Sequence, residues 1–336
     1  MPFLTPVPDI SATRPAFCGI LANTLLSIVP GISGAGPSPE ATLLTPALDA
    51  ELILQGAITS VPAKPNTPTG CPTPAVITRA MMDLVGITPV FVNAGLARPP
   101  AVPCIDVYGA AGNDPRTSDA VPLAAALYER GKLVGQYLSG ASDLLVLGES
   151  VPGGTTTALC VLRALGYPAR VSSSFVDNPV PLKEEICKAA LARLPAGSAG
   201  DPLAVVRCTG DPMMPVAAGI TAGYSGTLIL AGGTQMLAVC AILKALGVRL
   251  PPVATTCYVR DDRSANAPDL AARIGVQVLY VDPGFEDAGH AGLARYCLGE
   301  VKEGMGAGGA MALAYLQGHS PAAIREKIAG TVGAYS

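Results

Sequence analysis

The sequence predicts a three-layer α/β protein built on a mostly parallel sheet. From residue 89 onward, short apolar runs alternate with segments of helical period, the pattern of strands buried on both faces and covered by helices. Half of the 336 residues are apolar and only 14% are charged, which calls for a large core and for a subunit interface that hides further surface. The longest apolar run, 227–243, is broken by Gly232, Gly233, Thr234 and Gln235. It therefore reads as a strand, a turn and a buried helix, not as a membrane span of roughly 20 uninterrupted apolar residues.

Taken in order, the first hundred residues are rich in Pro, Gly and Thr, with short apolar pieces between them. Residues 29–39 read as irregular loop, because their Pro and Gly forbid regular pairing. Residues 61–74 repeat that character, so 1–75 is expected to contribute to a small subdomain ahead of the α/β unit at 76–300. A first buried strand is expected over 89–95, then a helix over 119–138 with Ser118 available as cap. Strand 143–148 leads through a turn into helix 155–165, closed by Gly166. Helix 182–194 precedes an expected strand over 203–208. Helix 213–222, strand 226–231, helix 235–246, strand 253–259, helix 267–274 and strand 276–281 continue the alternation. Helices complete the chain over 301–336. The expectation is a Rossmann-like sheet of about six strands.

Composition also narrows function. A net charge of −3 with no basic stripe gives no reason to expect nucleic acid. The start, Met-Pro-Phe-Leu-Thr-Pro, lacks the charged and apolar regions of a secretory signal, which points to the cytoplasm. Nine singly scattered cysteines fit reduced, buried thiols. His290 and His319 are far apart in no ligand spacing, so no metal is expected. No Gly-x-Ser-x-Gly elbow occurs.

Ligands of open parallel sheets collect at the C-terminal strand ends. The strongest such turn is Leu147-Gly-Glu149-Ser-Val-Pro-Gly153-Gly154-Thr155-Thr156-Thr157. Two glycines let the backbone approach an anion, the following helix start supplies N–H donors and a favourable dipole, and Glu149 is a carboxylate at the strand end. The same turn also satisfies a sharp strand-to-helix connection with threonine caps and no ligand. It is not a Walker A loop, because no Gly-Lys-Ser/Thr follows. A literal G-x-G-x-x-G at 304–309 lies about twenty residues past the preceding strand, the wrong context for a dinucleotide fingerprint. Lys302 and Glu303 precede this glycine-dense helix entry, which suits either a ligand or tight helix packing with Glu303 exposed. Two further turns, Gly210-Asp211 and Gly233-Thr234, are expected beside the first. His290 is as suited to capping a turn as to touching substrate.

These pieces, in order, resemble the nicotinate-nucleotide–dimethylbenzimidazole phosphoribosyltransferase family over about residues 85–318. Gly148-Glu-Ser-Val-Pro-Gly-Gly-Thr-Thr156 is similar to its Gly-Glu-x-x-x-Gly-Asn-Thr-Thr motif. The segment from Gly210 to Thr234 looks like its Gly-Gly segment, helix and strand, and Gly289-His290 and Glu303-Gly-Met-Gly-Ala307 resemble its last two motifs. The N-terminal part looks like the shorter archaeal and cyanobacterial branch.

The resemblance implies transfer of phosphoribose from nicotinate mononucleotide to a benzimidazole-type or purine base, giving the α-riboside phosphate of a cobamide lower ligand. It matches Glu303 to the catalytic base and leaves Glu149 to stabilise the developing ribosyl cation. The nucleotide is expected at Gly153, Gly154, Thr155, Thr156, Gly210, Asp211, Gly233, Thr234, Lys302, Gly304 and Gly306. No cofactor is implied, and a homodimer is expected. Two departures stand out: the motif's Asn is Gly154 here, and the basic residue three places before the catalytic Glu is Glu300. A nucleotide-binding protein that has lost the reaction, and another N-glycosidic enzyme such as a nucleoside phosphorylase, remain open alternatives.

Overall fold

A computed structural model describes residues 2–335. Eight strands form one sheet: β1 (Leu4–Thr5), β2 (Pro15–Ala22), β3 (Val90–Gly95), β4 (Ile105–Asp106), β5 (Leu144–Ser150), β6 (Thr227–Ala231), β7 (Val253–Thr256) and β8 (Val278–Val281). Their order is β1-β8-β7-β6-β5-β2-β3-β4, parallel throughout except for β1 against β8. Among the described residues there are thirteen α-helices. The first six are α1 (Pro39–Gln55), α2 (Pro74–Val85), α3 (Ala124–Ala141), α4 (Gly154–Ala164), α5 (Val180–Leu191) and α6 (Pro202–Thr209). The rest are α7 (Met213–Gly223), α8 (Thr234–Ala245), α9 (Cys257–Arg260), α10 (Ala267–Ile274), α11 (Ala291–Cys297), α12 (Ala307–Leu316) and α13 (Pro321–Gly333).

The sheet is buried on both sides, as its apolar strands require. Leu145 and Leu147 of β5 join the core under α3 to α8 and α10. Leu144 and Val146, one residue out of phase, join the opposite core under α1, α2, α12 and α13. That second helical layer comes from the two ends of the chain, and no helix among the described residues is long and apolar enough to cross a membrane.

Three expectations change. The sheet has eight strands rather than about six, mainly because the first hundred residues are more regular than their Pro and Gly implied. β2 lies between β5 and β3 in the middle of the sheet. Its central Gly19 is a packing residue: a side chain there would run into Met305 Cε and stand 3.0 Å from the Phe91 ring. α1 starts at Ser38, whose Oγ accepts from Ala41 N at 3.2 Å, and carries Pro46 inside it. Next, residues 203–208 are helix α6, not a strand. Asp201 caps it by accepting from the N–H groups of Leu203 and Ala204, both at 3.1 Å, and Pro202 occupies its first position. The four-residue apolar run 203–206 fits a buried helix as well as a strand, and the cap decided. Finally, the strand expected over 253–259 stops at Thr256 and turns into α9, because Thr256 N donates to the Glu303 carboxylate at 3.2 Å.

Candidate active site

The cavity sits at the C-terminal ends of β5, β6 and β7 and has a volume of about 270 Å³. β5 ends in Glu149 and Ser150, and the chain then turns through Val151-Pro152-Gly153 into α4. Gly153 has φ +78°, a left-handed conformation that costs glycine little, and a Cβ there would press on Ser27 at 3.1 Å. α4 has no side-chain cap; Gly154 N and Thr156 N donate to Val151 O and Gly153 O, while the helix start at Gly153, Gly154 and Thr155 lines the cavity and turns the positive end of the dipole toward it.

Two buried lysines flank this helix start. Lys183 of α5 donates from Nζ to Ser172 O at 2.6 Å and to Thr155 Oγ1 at 3.1 Å. Lys302 donates to Ser173 O at 2.8 Å and Phe175 O at 3.1 Å, with Asp262 at 3.4 Å. Burial, reinforced by Lys302, pushes the Lys183 ammonium down to about 7. Asp262 opposes that shift only in part, so an anion nearby would favour the charged ammonium further.

Across the cavity runs a strap, residues 301–306, in which Val301, Lys302 and Met305 all have φ between +48° and +65°. Left-handed backbone at three side-chain-bearing residues is unfavourable and persists only where contacts over-determine it. Here Val301 N donates to Ser174 O (2.9 Å) and Met305 N to Glu149 O (2.9 Å). Thr256 Oγ1 donates to Lys302 O (2.7 Å) and Thr78 Oγ1 to Met305 O (2.9 Å). Gly306 lies 3.1 Å from where a Cβ on Gly148 would stand, so the glycines of 304–309 pack α12 closely against the sheet. The strap thereby presents Glu303 to the cavity, half-buried rather than exposed.

Glu303 accepts four hydrogen bonds: from Gly304 N (3.1 Å) and Gly308 N (3.2 Å) on Oε1, and from Thr256 N (3.2 Å) and Thr255 Oγ1 (3.3 Å) on Oε2. Those donors favour the carboxylate, yet burial outweighs them and raises its pKa to about 7. Glu149, 4% exposed, is pushed well above the usual carboxylate range, first by burial and then by Asp211 and Glu303. Its Oε2 accepts from Gln235 Nε2 at 2.6 Å. Asp49, from α1, is a third carboxyl on the cavity wall; it accepts from Ser150 Oγ at 2.7 Å, and burial raises it to about 6. The cavity thus has a cationic, donor-rich end and an acidic end. Glu303, at about 7, is poised to exchange a proton near neutrality.

Of the residues singled out in the sequence, Glu149, Gly153, Gly154, Thr155, Gly233, Thr234, Lys302, Glu303 and Gly304 line this one cavity. Thr156, Gly210, Asp211 and Gly306 lie behind its wall. Asp211, fully buried, accepts from Thr157 Oγ1 at 2.6 Å and from Met213 N at 3.1 Å, tying α4 to the start of α7. With 203–208 helical, its turn joins two helices and is not at a strand end. His290 caps α11, its Nδ1 accepting from Gly292 N and Leu293 N. Glu300 accepts from Thr67, Thr69 and Arg295, fastening the 67–69 loop. Sequence reasoning missed Lys183 and Asp49. A lysine in an amphipathic helix reads as surface, and Asp49 lies in a stretch whose prolines masked its helix.

The fold places the chain among α/β proteins of one class. It superposes on a nicotinate-nucleotide-dimethylbenzimidazole phosphoribosyltransferase from Thermus thermophilus with TM-score 0.61 and 18% identity, covering 95% of this chain and 83% of that one. A second Thermus thermophilus structure, titled CobT, gives TM-score 0.63 at 17% identity, covering 95% and 84%. No family model matches the sequence. Among curated proteins, a UPF0284 protein of Methanosarcina mazei is 44% identical over 328 residues, 95% of this chain and 94% of its own. Those of Methanothermobacter thermautotrophicus and Archaeoglobus fulgidus are 44% and 40% identical, covering 93% and 95% of this chain and 90% and 94% of their own. The chain belongs to the UPF0284 family.

Proposed function

We propose that this protein transfers phosphoribose from nicotinate mononucleotide to an aromatic nitrogen base. The observation that carries the reading is the layout of one cavity: an anion cradle at the α4 start beside Lys183 and Lys302, and a carboxyl with its pKa near 7 on the facing strap. The sequence motifs and the fold shared with the Thermus phosphoribosyltransferases support the same reading.

In this mechanism the phosphate occupies the cradle, contacting Gly153, Gly154 and Thr155, with Lys302 on the same wall and Lys183 behind Thr155, holding its Oγ1. A ring nitrogen of the acceptor attacks C1′ with its lone pair as the C1′–N bond to nicotinate breaks. The electrons of that bond neutralise the pyridinium, so the leaving group needs no acid. The N–H proton of the acceptor passes to Glu303, a base whose pKa suits proton transfer near neutral pH. Glu149 acts as its carboxylate: with Gln235 donating to its Oε2, it faces the developing ribosyl cation and stabilises it electrostatically in a buried setting. A homodimer in the cytoplasm, supplying the lower ligand of a cobamide, belongs to the same reading.

The test is incubation with nicotinate mononucleotide and a panel of benzimidazoles and purines, followed by mass detection of the riboside phosphate. Tight nucleotide binding without product from any acceptor would replace this function by nucleotide binding alone. Cleavage that needs only phosphate or water would make it a phosphorylase or hydrolase.

A further inference from the structure

Gln235 lies in the first turn of α8. It is 8% exposed, lines the cavity, and holds Glu149 Oε2 through its Nε2 at 2.6 Å. Against it lies Gly154. Unlike Gly153, Gly154 has no left-handed φ, and the first position of a helix accepts most residue types. Any side chain at 154 would have to displace the Gln235 amide from where it holds Glu149. A Cβ on residue 154 would stand 2.5 Å from Gln235 Cδ and 2.8 Å from its Oε1, closer still to Nε2. The site has room for one carboxamide at this point.

We infer that Gln235 is the positioning residue for Glu149, and that Gly154 and Gln235 form an exchanged pair. The side-chain amide that the resembled motif carries at the α4 start is here delivered from α8, and Gly154 vacates the volume. A fixed donor on Oε2 sets the orientation of the Glu149 carboxyl. It also favours the ionised form that faces the cationic ribosyl centre, since hydrogen bonds to a carboxylate lower its proton affinity. The departure at Gly154 is then a relocation of the amide, not a loss. The kinetic part of this inference rests on the proposed transfer reaction.

Three variants test it: Gln235→Ala, Gly154→Asn and the double substitution. Gln235→Ala should lower kcat by about ten- to hundredfold, the loss of a hydrogen bond to a charged group. KM for nicotinate mononucleotide should stay near wild type, and the rate profile should move to higher pH. Gly154→Asn alone forces two amides into one volume and should lower both kcat and the melting temperature. Joining it to Gln235→Ala should recover most of both.

A fully active Gly154→Asn protein, or a double variant no better than Gly154→Asn, overturns the exchange. A double variant that recovers melting temperature but not turnover overturns the positioning role. So does a Gln235→Ala effect confined to KM with the pH profile unmoved. If the wild type forms no riboside phosphate with any base, the transfer reading falls. Recovery of melting temperature and of nicotinate mononucleotide affinity in the double variant then still supports the exchange, and its absence overturns it.

Discussion

The turn at 148–157 and the strap at 301–306 face each other across one cavity, and different physics holds them. The turn is a strand handing over to a helix. Gly153 takes the left-handed backbone that glycine tolerates, and the helix start that follows carries no side-chain cap. The strap keeps Val301, Lys302 and Met305 in left-handed backbone that none of them prefers, and four hydrogen bonds from α2, β5, β7 and the 172–175 segment hold it there. An anion site can come from local geometry. The carboxyl placed opposite it needs the whole fold. In the proposed reaction the turn binds and the strap reacts, so damage to one should separate from damage to the other.

The largest separation is expected from Glu303→Gln. Loss of a general base costs about 10²- to 10⁴-fold in turnover, while nicotinate mononucleotide affinity measured by calorimetry should stay near wild type. Full activity would remove Glu303 from the mechanism. Lys183→Met attacks the other side. Losing the positive charge behind the cradle and the hydrogen bond that holds Thr155 Oγ1 should raise KM for the nucleotide about tenfold with kcat little changed. Ser172 O also loses its donor, so the melting temperature should fall modestly, and an unaltered KM would move the phosphate elsewhere.

Thr78→Val probes the strap without touching the cavity. It leaves Met305 O without its donor, a cost of about 1–3 kcal/mol for a buried acceptor, and should lower kcat more than nucleotide affinity. Equal loss in both would show that strap and turn move as one body.

The smallest effect is in pH. Turnover should rise with pH through about 7 as Glu303 loses its proton. For stability the sign is opposite. Glu303 binds its proton more tightly folded, at about 7, than at its ordinary 4.5, so the unliganded protein loses stability as pH rises across that window. Asp49, raised from 3.8 to about 6, acts in the same direction between those values. The wild type should melt lower at pH 6.5 than at pH 5. Glu303→Gln should shrink that difference by a few degrees, on the scale of roughly 2–4 °C per kcal/mol. An undiminished difference would mean that other groups set it. Lys183, whose ammonium is depressed to about 7, contributes the opposite slope only above that range.

The legibility of the site follows the same division. Glu149, Gly153 and Gly154 could be placed from sequence, because a strand end, a glycine pair and a helix start lie within ten residues. Glu303 was legible through its motif, but its surroundings were not. Thr78, Ser174 and Thr256 clamp the strap from positions far away in the chain, and none carries a local signal. Lys183 shows the limit most clearly, with ordinary helix residues about it in sequence and 1% exposure in the fold.

By itself, then, the sequence determined the α/β class, the alternation from residue 89 onward and the strand-end turn where an anion could sit. Apolar period and turn chemistry are local, and they act over a few residues. The tertiary structure decided that β2 fills the middle of the sheet and that 203–208 is helix. It also decided that the two chain ends share a layer and that a strained strap brings Glu303 opposite the anion cradle. Those outcomes depend on which surfaces meet, and only long-range packing fixes that.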